Sequence, residues 1–154
     1  MRLLALALAL AIAPPALAQD EPSPAERAHQ VRVGLMQNYA FNLGPLAAMA
    51  RGEAPFDEAT ASMHAGNIAS IARVDLAPYW VEGSSNAELE DSRALPAIWE
   101  NLEDVEAKRV GVLEAAQALE ASVSGGQEAF AEAFRGLGQA CGACHEDYRE
   151  PDEE

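Results

Sequence analysis

Lysine is almost missing from this chain of 154 residues. Lys108 is the only one, and lysine and arginine together number 10 against 25 aspartates and glutamates, for a formal net charge of −15. A surface that binds nucleic acid needs clustered basic side chains to displace counterions from phosphates, so that class is excluded. Long apolar runs are equally scarce. Beyond residue 18 nothing approaches the ~20 consecutive apolar residues of a membrane span, which excludes an integral membrane protein. Stretches of alternating β-branched residues, the mark of strands, are also missing. Cysteine occurs twice, and in an exported chain two cysteines ordinarily form one disulfide. Here they are Cys141 and Cys144, followed at once by His145.

What stands at the start of the chain is an export signal. Arg2 supplies a basic start, Leu3 to Ala13 is unbroken apolar sequence, and Ala16-Leu17-Ala18 fits a small-residue cleavage pattern before Gln19. Residues 1–18 are expected to be removed as a signal peptide. Residues 19–154 then form one domain with length enough for a single core, placed in the periplasm.

The remaining periodicity is helical in four segments. The first runs from about Pro24 to Arg51 with Val31, Leu35, Tyr39, Leu43 and Leu46 on one stripe, and Gly44-Pro45 is expected to kink or break it. The second is capped by Asp57 and runs to about Leu76, with Met63, Ile68, Ile71 and Ala72 inward and Pro78 closing it. Residues 77–95 read as a loop around the turn cluster Gly83-Ser84-Ser85-Asn86. Pro96 opens the third helix, whose stripe of Ile98, Leu102, Val105, Val112, Ala116, Leu119 and Val123 is interrupted by Arg109 and ended by Gly125-Gly126. Arg109 is expected to pair with Glu106 or Glu103 or to snorkel outward. The fourth helix, about Gln127 to Arg149, aligns Phe130, Phe134, Leu137, Cys141, Cys144 and Tyr148. The fold class expected is all-α, an antiparallel four-helix bundle.

Cys141-Gly142-Ala143-Cys144-His145 is the C-x-x-C-H pattern of covalent haem c attachment. On a helix the two thiols share a face, where each can form a thioether to a haem vinyl group. His145, four residues from Cys141, can present an imidazole nitrogen to the iron. A thioredoxin-like reading lacks the strand that would precede it. A zinc reading lacks ligands, since only His29 and His64 remain and neither has motif spacing. The nine residues after His145 contain no Met, His or Lys, so a sixth iron ligand must come from upstream or be missing.

Over nearly the whole of residues 19–154 the sequence resembles the class II c-type cytochromes, and within them cytochrome c′. The resemblance rests on Arg32 with Leu35-Met36, on Gly52-x-x-Pro55-Phe56-Asp57, on Asp91-Ser92-Arg93-Ala94-Leu95-Pro96-Ala97-Ile98-Trp99, and on Cys141-x-x-Cys144-His145-x-x-Tyr148-Arg149. It implies a left-handed bundle, a homodimer, and one haem c held by Cys141 and Cys144 with His145 as axial ligand. It also implies an iron that exchanges one electron and, when five-coordinate and high-spin, binds NO or CO on a distal face packed by Met36. Arg32 matches an arginine at the haem propionates, Asp91 and Ser92 match positions near the haem edge, and Arg149 matches one close to the histidine. Val33 and Gly142 depart from the family's usual Gln and Lys.

Met36 decides between two readings. Low-spin relatives in the same class use a methionine at this place as sixth ligand, which would make a six-coordinate electron carrier with Met36 and His145 on the iron. The five-coordinate gas binder is the expected reading, to which Arg32 and the segment before Pro96 point, while Gly142 points the other way. Met36 as a mere core gap-filler would coincide with that five-coordinate case. No acid–base pair or activated nucleophile stands out beside the motif, so no enzyme is implied; the redox partner is unidentified. A structural helical protein with an accidental C-x-x-C-H is the remaining rival.

Overall fold

The computed structural model describes residues 21–151. The expected signal peptide and the last three residues of the acidic tail lie outside them. Four long helices form an antiparallel bundle: α1 (Pro24–Ala50), α2 (Glu58–Ala72), α4 (Leu102–Ser122) and α5 (Gly126–Tyr148), with a single-turn α3 (Ala97–Glu100) ahead of α4. Short 3-10 turns occupy Ala77–Tyr79 and Val123–Gly125.

Each helix starts for a local reason. Ser23 and Glu26 make a capping box, the serine hydroxyl accepting from the Glu26 amide at 3.2 Å and the Glu26 carboxylate from the Ser23 amide at 2.6 Å, with Pro24 in the first turn. Asp57 caps α2 through the Thr60 amide at 2.8 Å, as its position predicts. Between α4 and α5 the chain turns at Gly126, whose φ of +83° lies where a side chain would be strained.

Pro45 does not end α1. Its ring removes one amide, and the carbonyl it deprives belongs to Phe41, which is 75% exposed and so accessible to water. The expected third helix is in fact two. Asn101 adopts φ −137°, ψ 40°, and this break between α3 and α4 rotates Leu102 off the Ile98 stripe, leaving it exposed. α2 stops at Ala72, four residues before the expected Leu76, because the Arg73 and Val74 amides turn back to Ser70 and Ile71. Met63, expected inside, is 56% exposed, and Val31 also lies outward.

The main core is built on Leu46, Ile68, Leu119, Phe130 and Leu137, all at most 1% exposed. Phe130 sits between the rings of Phe56 and Phe134, at 5.4 and 6.2 Å between centroids. A second, smaller cluster of Ile98, Val105 and Tyr148 gathers Trp80, Trp99 and Cys144 around it. Cys141 packs on the first cluster and Cys144 on the second, so the end of α5 joins the two.

Candidate haem site

The C-x-x-C-H residues occupy the last two turns of α5. Cys141 and Cys144 are free, half-buried thiols, and burial pushes both upward in pKa, so they are held as neutral thiols. His145 stands at an open depression of about 440 Å³ that it lines with Gly142, Glu146, Arg149, Glu150 and Pro151. Partial burial, then the guanidinium groups of Arg149 and Arg93, hold its pKa below the ordinary histidine value. Its imidazole is therefore neutral at neutral pH and offers a lone pair.

Tertiary contacts fix this helix end. Ala94 and Arg149 form an antiparallel bridge, the Leu95 amide donates to the Tyr148 carbonyl at 3.0 Å, and the Glu150 amide donates to the Arg93 carbonyl at 2.8 Å. On the α4 side the Tyr148 hydroxyl donates to Asp104 at 2.7 Å, and Lys108 reaches Asp147 at 2.8 Å. Sequence reasoning missed this latch; a bridge one residue long leaves no periodicity to find.

On α1, Arg32 and Met36 are one turn apart and share a face. Arg32 is buried, its Nη1 donating to the Tyr79 carbonyl at 2.6 Å and the Ser84 hydroxyl at 2.9 Å, and its Nη2 to the Ser84 carbonyl at 2.7 Å. A guanidinium has five N–H donors, so Nε–H and one Nη2–H remain, the side-on pair that grips a carboxylate. Met36 is 43% exposed and belongs to neither core cluster. Ser92 is buried and donates to the Ser84 carbonyl at 2.9 Å, while Asp91 beside it is exposed. Arg109 pairs bidentately with Glu106 at 2.6 and 2.7 Å and also reaches the Ala72 carbonyl at 3.1 Å. His64 is taken up by Asn42 at 3.0 Å between α1 and α2.

Haem c fits these residues. Two unpaired thiols lie three residues apart on one helix, a neutral imidazole follows, and a buried guanidinium keeps a carboxylate-gripping edge. The cytochrome C′ family model matches residues 27–149, from the first turn of α1 to the residue after Tyr148. The chain belongs to the cytochrome c′ family. Its relatives include cytochrome c-554 of Cereibacter sphaeroides, 43% identical over 97% of this chain and 96% of that protein. Cytochrome c′ of the same organism is 34% identical over 96% and 97%. The solved cytochrome c′ from Rhodobacter spheriodes superposes with a TM-score of 0.80 at 34% identity, covering 83% of this chain and 98% of that one. Both named kinds of relative span the domain, so family membership extends beyond the haem motif to all four long helices.

Proposed function

We propose that this protein is an exported periplasmic one-electron carrier, not an enzyme, bearing one haem c on Cys141 and Cys144 with His145 and Met36 as axial ligands. Haem c supplies, when bound, an iron that cycles between two oxidation states. The rest is the work of the chain. The two thiols tether the group to α5, and the latch of residues 93–95 onto 148–150 holds the helix end that carries His145. Partial burial, aided by Arg149 and Arg93, keeps the proton off the imidazole. Arg32 offers its side-on edge to a propionate, with Asp91 at the rim and Ser92 acting from beneath.

The observation that carries this reading is the placement of Met36. It lies on the Arg32 face of α1, one turn from the guanidinium, with its thioether 43% exposed and so accessible to a bound haem. Thioether and imidazole together favour the reduced iron and a carrier role.

A second reading leaves the iron five-coordinate and open to NO or CO, with Met36 packed over it. Kinship with cytochromes c′ favours it. A nitric oxide complex has been solved for a mutant cytochrome c prime from Alcaligenes xylosoxidans, a protein whose likeness of 22% identity carries the fold alone. Optical spectra of the holoprotein, oxidised and reduced, with and without CO, separate the two. Sharp low-spin bands indifferent to CO support ligation by Met36; broad high-spin bands that shift with CO overturn it.

Assembly as a homodimer belongs to the same proposal. A solved cytochrome c′, 28% identical with a TM-score of 0.75, shows ligand-controlled dimer dissociation. In this chain Phe41 and Met63 are 75% and 56% exposed on the paired α1 and α2, an apolar face suited to a second copy. With a net charge of −15, a redox partner with a basic face would be steered toward it.

A further inference from the structure

Arg32 is a buried cation that this chain does not neutralise. It is 7% exposed, and among the described residues no carboxylate pairs with it. Its charge lies 5.0 Å from the ring of Trp80 and 6.0 Å from that of Trp99, contacts that favour a cation without cancelling it. Burying such a charge is costly unless its donors are satisfied. Ser84 accepts two of the three hydrogen bonds that the guanidinium makes. Its hydroxyl accepts from Nη1 and its carbonyl from Nη2, so one residue fixes both ends of the guanidinium fork.

Ser84 is itself fully buried and rigidly placed. Its hydroxyl proton is directed to the Val81 carbonyl at 2.6 Å, which turns a lone pair toward Arg32. Its carbonyl is shared between Arg32 and the Ser92 hydroxyl. Alanine here would keep the carbonyl contact but lose the hydroxyl that orients Nη1. The neighbouring Ser85 is equally sunk in the loop, yet it pairs with Glu88 and the Ala87 amide and makes no contact with Arg32.

We propose that Ser84 is a positioning residue that holds Arg32 with its side-on edge turned to a haem propionate, on the Met36 face of α1, so that its charge offsets that of the carboxylate and thereby biases the iron toward its reduced state. This rests on the reading of the chain as a haem-c electron carrier. Reduction adds one negative charge, and a nearby cation stabilises it in inverse proportion to distance and local dielectric. Arg32 and Met36 are one helical turn apart, ~6 Å along the axis. A guanidinium clamped between Ser84 and two indoles keeps its charge out of water; one released from the clamp swings toward solvent, where the same charge is screened.

The experiment is an equilibrium redox titration of holoprotein carrying Ser84→Ala, Ser85→Ala, Arg32→Met and the Ser84→Ala/Arg32→Met pair. At a fixed applied potential Ser84→Ala lowers the reduced-to-oxidised ratio by about threefold or more, and Arg32→Met lowers it further. Ser85→Ala leaves it unchanged. In the Arg32→Met background Ser84→Ala has no additional effect, because the serine acts only through the arginine. Ser92→Ala, which removes the hydrogen bond onto the Ser84 carbonyl and a longer one accepted from the Ala94 amide at 3.3 Å, shifts the ratio the same way by less and serves if Ser84→Ala does not fold. Equal shifts from Ser84→Ala and Ser85→Ala, a Ser84→Ala shift that persists without Arg32, or no shift at all overturns the proposal. Failure of the carrier reading looks different: the wild-type holoprotein then shows broad high-spin bands that shift with CO, or takes up no haem, whatever the variants do.

Discussion

Between α1 and α2 lies a buried polar node whose disruption has a calculable cost. Asn42 is 2% exposed, and its Oδ1 accepts from Asn67 Nδ2 and meets His64 Nδ1, both at 3.0 Å. Its Nδ2 donates to the Asn38 carbonyl at 2.9 Å and to the Asn38 side-chain oxygen at 3.0 Å. Those partners fix the amide orientation, so His64 Nδ1 must carry the proton. Asn42→Leu keeps the volume but strands that N–H, since His64 is only 8% exposed. Asn38 and Asn67 are exposed and can turn to water. Stranding one buried donor costs about 1–3 kcal/mol and the lost hydrogen bond about 1 more, so Asn42→Leu should destabilise by about 2–4 kcal/mol. Adding His64→Leu removes the stranded group and should recover much of the loss, because replacing both partners with apolar groups approaches neutrality. Urea unfolding of the holoprotein, followed by far-ultraviolet circular dichroism, measures both. A single variant within about 0.5 kcal/mol of wild type, or a double variant no better than the single, refutes the reasoning.

Met36→Ala should convert the oxidised optical spectrum from low to high spin and open the iron to CO; an unchanged spin state would place Met36 off the iron. Phe130→Ala, at a fully buried ring between Phe56 and Phe134, should cost about 3–5 kcal/mol in the same urea assay. The hydrogen bond from the Tyr148 hydroxyl to Asp104 pushes the phenol up to about 12, above an unfolded value of about 10. That contribution is full below about pH 10 and disappears as pH climbs through 12. Unfolding measured across this window should therefore be less steeply pH-dependent in Tyr148→Phe, and an identical alkaline slope would discount the bond.

Much of this architecture is written in side-chain periodicity. The seam from Phe130 to Tyr148 recurs at three and four residues, and three of its six members are fully buried with the other three packed beside them. The Asp57 cap and the Gly126 turn are equally local, each set by one residue's chemistry. Errors arose where a distant contact or a break outweighed the pattern. Met63 fits the α2 stripe by type but points away from the core. Leu102 fits the stripe only if Asn101 is helical, and it is not. The haem motif could be read directly, because its chemistry is a matter of residue type and spacing, whereas Met36 is singled out only by the family resemblance. Ser84 could not: the sequence marks it as a turn serine, and its importance comes from Arg32, 52 residues away.

The late position of the C-x-x-C-H motif is reconciled by that same non-local bonding. A helix end is ordinarily its most frayed part, with the last carbonyls lacking internal partners. His145 sits there, three residues before the last residue of α5. The Tyr148 carbonyl is satisfied by the Leu95 amide and the Arg93 carbonyl by the Glu150 amide, while the Arg93 guanidinium donates to the Glu150 carbonyl at 2.6 Å, so the segment 93–95 holds the end of α5. Lys108, the only lysine, ties Asp147 on α5 to Asp104 on α4 at the same level. His145 can thus stand close to the end of α5 because two other segments, 93–95 and α4, hold the backbone around it. Ser92, just upstream of the latch, carries this restraint onward to Ser84 and Arg32. The imidazole on α5 and the cation on α1 are therefore fixed by one continuous run of loop, residues 79–95, and a perturbation in it should register at both sites together.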